Sequence, residues 1–222
     1  MKVYVTGTDT GIGKTFVTCA LVAALRARGL CVAAMKPVAS GCRMTADGLR
    51  NDDAEALLAA TGRPGAYADV NPYAFADPIA PHLAAADAGV RIDLATVAAA
   101  HARLAAGADA SLVEGVGGWA APLGDALEQA DLVRALDLDV VLVVGLRLGC
   151  INHARLSAAA IAAGRCRLVG WIANRVDPAM ARADDNIATL RTRLEAPLLG
   201  VVGHGDPPVD AALARALMDV TG

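Results

Sequence analysis

Gly7-Thr8-Asp9-Thr10-Gly11-Ile12-Gly13-Lys14-Thr15 decides how the rest of this chain is read. A short apolar run, Val3 to Val5, precedes it, and a helical pattern, Phe16 to Leu25, follows. Strand, glycine-rich loop, Lys-Thr and helix together describe a phosphate-binding loop. Glycines let the backbone bend until several N–H groups converge on an anion. The helix behind adds unpaired N–H groups and the positive end of its dipole. Lys14 supplies a mobile charge for the outer phosphates, and the Thr15 hydroxyl is a magnesium ligand type. Residues 8–12 separate Gly7 from Gly13, one more than the common spacing. The competing reading is a glycine-rich turn that caps a helix, with Lys14 merely solvated.

Outward from this loop, β-rich apolar runs alternate with longer Ala/Leu-rich stretches. Strands are expected at Val3–Thr6, Cys31–Lys36, Ser111–Glu114, Val140–Val144, Leu168–Ala173 and Leu198–Val202. Helices are expected at Lys14–Arg28, Asp52–Ala60, Leu94–Ala106, Ala126–Leu136, Asn152–Ala163, Arg182–Leu194 and Asp210–Val220. Several strands are apolar on both faces, as parallel strands covered by helices are. The pattern predicts an α/β fold with a mostly parallel sheet flanked by helices on both faces. Residues 1–222 form a single domain in this reading. Thr61 to Gly89 reads as a long connection with a short strand at Asn71–Phe75.

Composition narrows the function classes. The chain has 222 residues and 3% aromatics, and its apolar content is Ala, Leu and Val spread along the sequence. No run reaches the roughly eighteen apolar residues of a membrane span. Met1-Lys2 leads straight into a strand, which leaves no room for a signal peptide, so a cytoplasmic location is expected. A net charge of −3 offers no general attraction to nucleic acid. Cysteines 19, 31, 42, 150 and 166 are odd in number and scattered, which argues against a disulfide framework or a zinc site. The histidines at 82, 101, 153 and 204 include no helical pair of metallohydrolase spacing.

The segments with chemical potential each follow a strand. In a parallel sheet they converge on one edge. They are Lys36–Gly41, Glu114–Gly118, Gly145–His153, Asn174-Arg175 and Gly203–Pro208. Phosphoryl transfer needs positive charge around the migrating group and a held metal. Lys14 and Lys36 supply the charge; Thr15, an acid from Asn51-Asp52-Asp53, and Glu114 supply magnesium ligands. Glu114 ends an apolar strand, where a carboxylate is costly unless paired or metal-bound. Its bland alternative is a helix cap or a surface ion pair. For Lys36 it is a solvated strand end, although Pro37 forces an extended exit.

Six segments in order, GTDTGIGKT (7–15), KPVASG (36–41), GLRNDDA (48–54), VNPYAF (70–75), VEGVGGW (113–119) and GLRLGCINHA (145–154), resemble the dethiobiotin synthetase family. The match runs from residue 3 to about residue 174. The resemblance implies a P-loop NTPase-like α/β fold with a mostly parallel sheet, and a homodimer with active sites near the subunit interface. It also implies ATP- and magnesium-dependent carboxylation of 7,8-diaminononanoate with CO2. The carbamate would be phosphorylated by ATP, and the neighbouring amine would close the cyclic urea. Carried over residue by residue, Gly11, Ile12, Gly13, Lys14, Thr15 and Phe16 would wrap the phosphates. Thr15, Asp53 and Glu114 would hold magnesium. Lys14 and Lys36 would stabilise the transferring group, and Ser40 would bond the diamine or carbamate. Gly115, Val116, Gly117, Asn174, Arg175, Gly203, His204 and Gly205 would line the nucleotide side, with Asn174 at the adenine edge. Gly149, Cys150, Ile151 and Asn152 would offer N–H groups to the substrate carboxylate, from the other subunit; the plainer reading is an Asn-capped helix.

The chain departs from the family pattern in three places. Gly11 stands where a larger residue is expected. Asp52 becomes the metal ligand if the register slips by one. The 203–208 loop lacks the Pro-Trp-like pair expected beside adenine. His82, in Pro78-Ile79-Ala80-Pro81-His82, is expected to be structural or pocket-lining, and Trp119 to be packing. Two rivals share the fold: a partitioning or cell-division ATPase, and a cobyrinate amidating synthase relative. The first usually carries an extra lysine early in the loop, where this chain has Thr8-Asp9-Thr10, and often a basic tail. The second needs a glutaminase domain for which no chain remains. A pure binding module would leave the metal ligands and second lysine without a task.

Overall fold

The computed structural model describes residues 1–205 and 211–222. In chain order the elements are β1 (Lys2–Gly7), α1 (Lys14–Ala27), β2 (Val32–Met35), β3 (Val38–Ala39), β4 (Arg43–Thr45), β5 (Gly48–Arg50), α2 (Asp52–Thr61), α3 (Tyr67–Val70), β6 (Tyr73–Ala74) and α4 (Pro81–Asp87). They continue as α5 (Leu94–Ala105), β7 (Ala110–Glu114), α6 (Gln129–Leu136), β8 (Asp139–Gly145), α7 (Cys150–Ala163), β9 (Leu168–Asn174), α8 (Ala183–Arg193), β10 (Leu198–Val202) and α9 (Ala211–Thr221).

The central sheet has six parallel strands in the order β10-β9-β8-β1-β7-β2. Alternation along each strand sorts side chains to two apolar layers. Val3, Val5, Leu112, Val141, Val143 and Ile172 pack with α1, α2 and α9. Tyr4, Val113, Leu142, Val144, Trp171 and Ala173 pack with α4 to α8. Burying one such Val or Leu fully is worth about 1.5–3 kcal/mol, so two filled layers hold the sheet without disulfides. All five cysteines are free.

The strand order places the site. Chain progression moves to one side of β1 through β2 and β7, then crosses to the other side at β8. The loop after β1 therefore stands at the switch point of the sheet. Register aligns its neighbours: Val5 lies opposite Glu114, Gly7 opposite Val143, and Gly145 opposite Asn174.

Several boundaries differ from the sequence reading. α7 starts at Cys150, with Gly149 (φ 95°) as its N-cap, so Asn152 lies inside the first turn and caps nothing. α6 starts at Gln129, later than Ala126, because Glu128 and Asp131 form a reciprocal capping box. The 61–89 connection contains α3 and α4, and Val70, Ala84 and Ala85 from them are buried. These elements are too short to show a period and depend on tertiary packing. β6 is shorter than the expected strand and pairs parallel with β3 in a small second sheet. The β4–β5 hairpin was not foreseen. The expected helix start at Asp210, and residues 206–208 of the sixth-strand loop, lie outside the described residues. Among the described residues, no helix is long and apolar enough to cross a membrane.

Candidate active site

The phosphate loop is shaped by what lies beneath it. Ile12 is buried, and added Cβ atoms at Gly7 and Gly145 would each approach its side chain to 2.7 Å. Gly13 caps α1 in the left-handed region (φ 77°), and a Cβ there would lie 2.3 Å from Asn174 Nδ2. That amide donates to the Ile12 carbonyl at 2.8 Å. Thr8 N–H donates to the Val143 carbonyl at 3.0 Å, which ties the loop's first half to β8. α1 has no side-chain cap and no acidic residue in its first turn. Its positive end is therefore open to an anion.

Four side chains converge behind this loop. Glu114, at the C-terminal end of β7, is fully buried. Its Oε1 accepts from the Lys36 ammonium at 2.6 Å and from the Thr15 hydroxyl at 2.8 Å. Lys36 also donates to Asp53 Oδ2 at 2.8 Å. Burial alone would lower the Lys36 pKa, but the Glu114 and Asp53 carboxylates outweigh it and hold the ammonium above its ordinary value. Burial would raise the Asp53 carboxyl, and the Lys36 charge reverses this and holds it low. Lys14 is buried with its ammonium 3.0 Å from the Asp9 carbonyl. Desolvation first, and the Lys36 charge second, bring its pKa down to about 8.

Asn51 caps α2 by accepting from the Ala54 N–H at 3.2 Å, and this sets the rotation of the acids that follow. Asp53 turns to Lys36, while Asp52 is largely exposed and pairs with Arg43 at 3.3 Å. The second lysine is fixed through its own backbone. Lys36 N–H donates to the Val70 carbonyl at 2.9 Å, and its carbonyl accepts from Asn71 Nδ2 at 2.8 Å.

One Glu114 oxygen, Oε2, is buried without a hydrogen-bond partner. An orphaned carboxylate oxygen beside a hydroxyl and a second carboxylate is a set of hard oxygen donors. The Glu114 and Asp53 carboxylates and the Thr15 hydroxyl bring such donors together at the loop through Lys36 and Glu114 Oε1.

A cavity of about 410 Å³ opens over the cluster. It is lined by Gly11, Gly13, Lys14, Thr15, Lys36, Ser40, Asp53, Glu114, Val116 and Gly117, with Thr10, Ala39 and Asn51 beside them. The other expected residues lie elsewhere. Ile12 and Gly115 support the site from behind; Gly115 N–H donates to the Val5 carbonyl at 2.9 Å. Phe16 packs partly buried against the core. Arg175 pairs with Asp184 at 2.5 Å, and Gly203, His204 and Gly205 are exposed beyond β10. Gly149, Cys150, Ile151 and Asn152 form the start of α7 and do not line the cavity. His82 lines a separate cavity of about 840 Å³ with Arg91, Asp93 and Leu123.

Gln129 went unrecognised in the sequence. It is fully buried, accepts from the Tyr4 hydroxyl at 2.6 Å, and points Nε2 at the carbonyls of Val116, Gly118, Trp119 and Ala121 at 2.7–3.2 Å. It thereby shapes the glycine-rich turn after Glu114. Trp119 meets Tyr4 edge-on at 6.2 Å, which agrees with a packing role.

Comparison with known proteins follows the same lines. Residues 1–209 match the family model for an AAA domain. The chain is 59% identical over 214 residues to the ATP-dependent dethiobiotin synthetase BioD of Xanthomonas oryzae pv. oryzae (strain PXO99A), covering 96% of each chain. It is 54% identical over 219 residues to the ATP-dependent dethiobiotin synthetase BioD of Xylella fastidiosa (strain 9a5c), covering 99% of this chain and 97% of that protein. Among solved structures it resembles the MinD cell division protein of Aquifex aeolicus, with TM-score 0.55, 17% identity, and coverage of 99% and 94%. A ParA family ATPase from Chlorobium tepidum TLS gives TM-score 0.57 at 13% identity, covering 99% of this chain and 92% of that one. At these identities the structural likeness shows the P-loop fold alone, whereas the two synthetases agree with the chain over almost its whole length. The chain therefore belongs to the ATP-dependent dethiobiotin synthetase family, a family of P-loop ligases.

Proposed function

We propose that this chain uses ATP and CO2 to convert 7,8-diaminononanoate into dethiobiotin, releasing ADP and phosphate, as a step of biotin synthesis. The observation that carries this reading is the meeting of Lys14, Lys36, Thr15, Asp53 and Glu114 around one cavity that Ser40 also lines. The relatives' names supply the reaction class.

The chemistry has three balanced steps. An amine nitrogen of the diamine attacks CO2 and loses a proton, giving a carbamate. A carbamate oxygen attacks the γ-phosphorus of ATP, and the bond to the β-phosphate oxygen breaks with ADP leaving. The second amine attacks the carbonyl carbon of the resulting mixed anhydride, the carbon–oxygen bond to phosphate breaks, and the nitrogen's proton goes to the departing phosphate as the urea ring closes. The middle step brings an anionic oxygen towards a polyanion, so its barrier is largely electrostatic. Lys14 and Lys36 place two ammonium groups beside that approach. The loop N–H groups and the α1 N-terminus hold the phosphates. Ser40 stands at the cavity wall, where its hydroxyl orients the diamine or carbamate, and this positioning lowers the barrier further.

Thr15, Asp53 and Glu114 fit a magnesium ion, because the unpartnered Glu114 Oε2 and its hard oxygen neighbours have the donor chemistry it requires. When bound, the ion neutralises charge on the outer phosphates. The α7 N-terminus lies outside the cavity, and Leu148 beside it is 96% exposed. Both features suit a homodimer in which α7 meets the substrate carboxylate across the interface. The working location we assign is the cytoplasm, where ATP and magnesium are supplied. No nucleic acid or membrane partner enters the reading.

The test is ADP release measured with diaminononanoate, bicarbonate, ATP and magnesium. Diamine-dependent release with a dethiobiotin product supports the proposal, and ADP release indifferent to the diamine would overturn it. Light scattering tests the dimer: a monomeric mass at assay concentration contradicts it.

A further inference from the structure

Asp9 places a carboxylate on the rim of a loop shaped for a polyanion, a charge that by itself repels phosphate. Arg147, from the segment between β8 and α7, forms an ion pair with it. Asp9 is also built into the loop. Its Oδ1 accepts from the Thr10 N–H at 2.7 Å, and its main-chain oxygen accepts from the Lys14 ammonium at 3.0 Å. At the other end, the Arg147 carbonyl accepts from the Cys150 N–H at 3.0 Å, closing the turn that opens α7. One side chain thus joins the phosphate loop to the start of α7, across 138 residues of sequence.

We propose that Arg147 is a positioning residue for the nucleotide: it neutralises Asp9 and fixes the main-chain oxygen on which Lys14 rests. The proposal deepens the ligase reading and rests on it for the identity of the nucleotide. The Arg147 and Asp9 side chains are 42% and 45% exposed, so their pairing adds little to global stability. Its consequence is local, since the Asp9 main-chain oxygen is the one hydrogen-bond acceptor of the Lys14 ammonium among the described residues.

The test is a double-mutant cycle read by calorimetric binding of magnesium-ADP, without diamine. Arg147→Met keeps the apolar stem and removes the charge; it is expected to weaken ADP binding about tenfold. Arg147→Lys is expected to recover much of that loss, and Asp9→Asn/Arg147→Met to bind no worse than Arg147→Met alone. Urea midpoints of all variants are expected to match the parent, which separates positioning from a folding defect. Unchanged ADP affinity in Arg147→Met, or losses that add in the double variant, would overturn the proposal. Because the readout omits the diamine, a parent protein that fails the ligase assay yet passes this cycle loses only the substrate assignment.

Discussion

The Lys36 ammonium lies 2.6 Å from Glu114 Oε1, and both groups are buried at the C-terminal edge of the sheet. A lysine that met only substrate would matter to turnover much more than to folding. The contact changes that expectation. Lys36→Met leaves a buried carboxylate without its charge partner, a defect that costs about 3–5 kcal/mol. Lys36→Met should therefore lose activity and unfold at markedly lower urea. Adding Glu114→Gln should restore much of the stability and none of the activity. If Lys36→Met unfolds like the parent, the pair does not hold this edge of the sheet.

Glu114→Gln alone isolates the metal assignment. The substitution keeps the shape and one acceptor oxygen for Lys36 and Thr15 but removes the negative charge and the second acceptor. The magnesium concentration needed for half-maximal ADP binding should rise by at least about tenfold. Calorimetry at stepped magnesium measures this directly. An unchanged magnesium titration would remove Glu114 from the ion's ligands.

What was legible in the sequence follows from the physics of each signal. Residues 140–144 and 168–173 are apolar on both faces, and only a helix-covered parallel strand requires that. Gly13-Lys14-Thr15 at a strand-to-helix turn specifies its ligand through backbone geometry, so spacing alone exposes it. That Asp53 rather than Asp52 meets Lys36 follows from register once Asn51 caps α2. Gln129 and Arg147 had no such mark. Each acts through a contact between segments far apart in the chain, and neither belongs to a periodic or spaced pattern. α3 and α4 were hidden for a related reason, since short helices draw their stability from the surface they cover. Asn174 is expected at the adenine edge from the family resemblance, but the hydrogen bond from its Nδ2 to the Ile12 carbonyl joins distant segments and carries no sequence mark.

Gln129→Leu tests how the turn after Glu114 is held. The change fills similar volume but leaves the Tyr4 hydroxyl without its acceptor and the turn carbonyls without their donor. Each buried orphan costs about 1–3 kcal/mol, so a clear fall in the urea midpoint is expected. The Trp119 near-ultraviolet dichroism should weaken as its packing on Tyr4 loosens. A variant with parent-like stability and spectrum would show that the turn does not depend on Gln129.

His101 sets a pH dependence independent of the active site. It sits on α5, 7% exposed, with Nε2 3.0 Å from the Ser111 hydroxyl on β7. Burial, with a smaller contribution from the Lys2 charge, holds its pKa below the ordinary 6.5. The folded protein thus favours the neutral ring. Between the depressed folded pKa and 6.5, the unfolded chain binds a proton that the folded chain does not. The contribution of His101 is therefore complete above that upper limit and is lost as pH falls through the window. Urea unfolding at steps between about pH 7.5 and about pH 5 should show the parent losing stability faster than His101→Gln, which keeps a polar group but cannot titrate. Every other residue is common to both proteins, so the difference between the two curves isolates the ring. Parallel curves would mean that His101 is protonated at no extra cost inside the fold, and that its contact with Ser111 survives the charge.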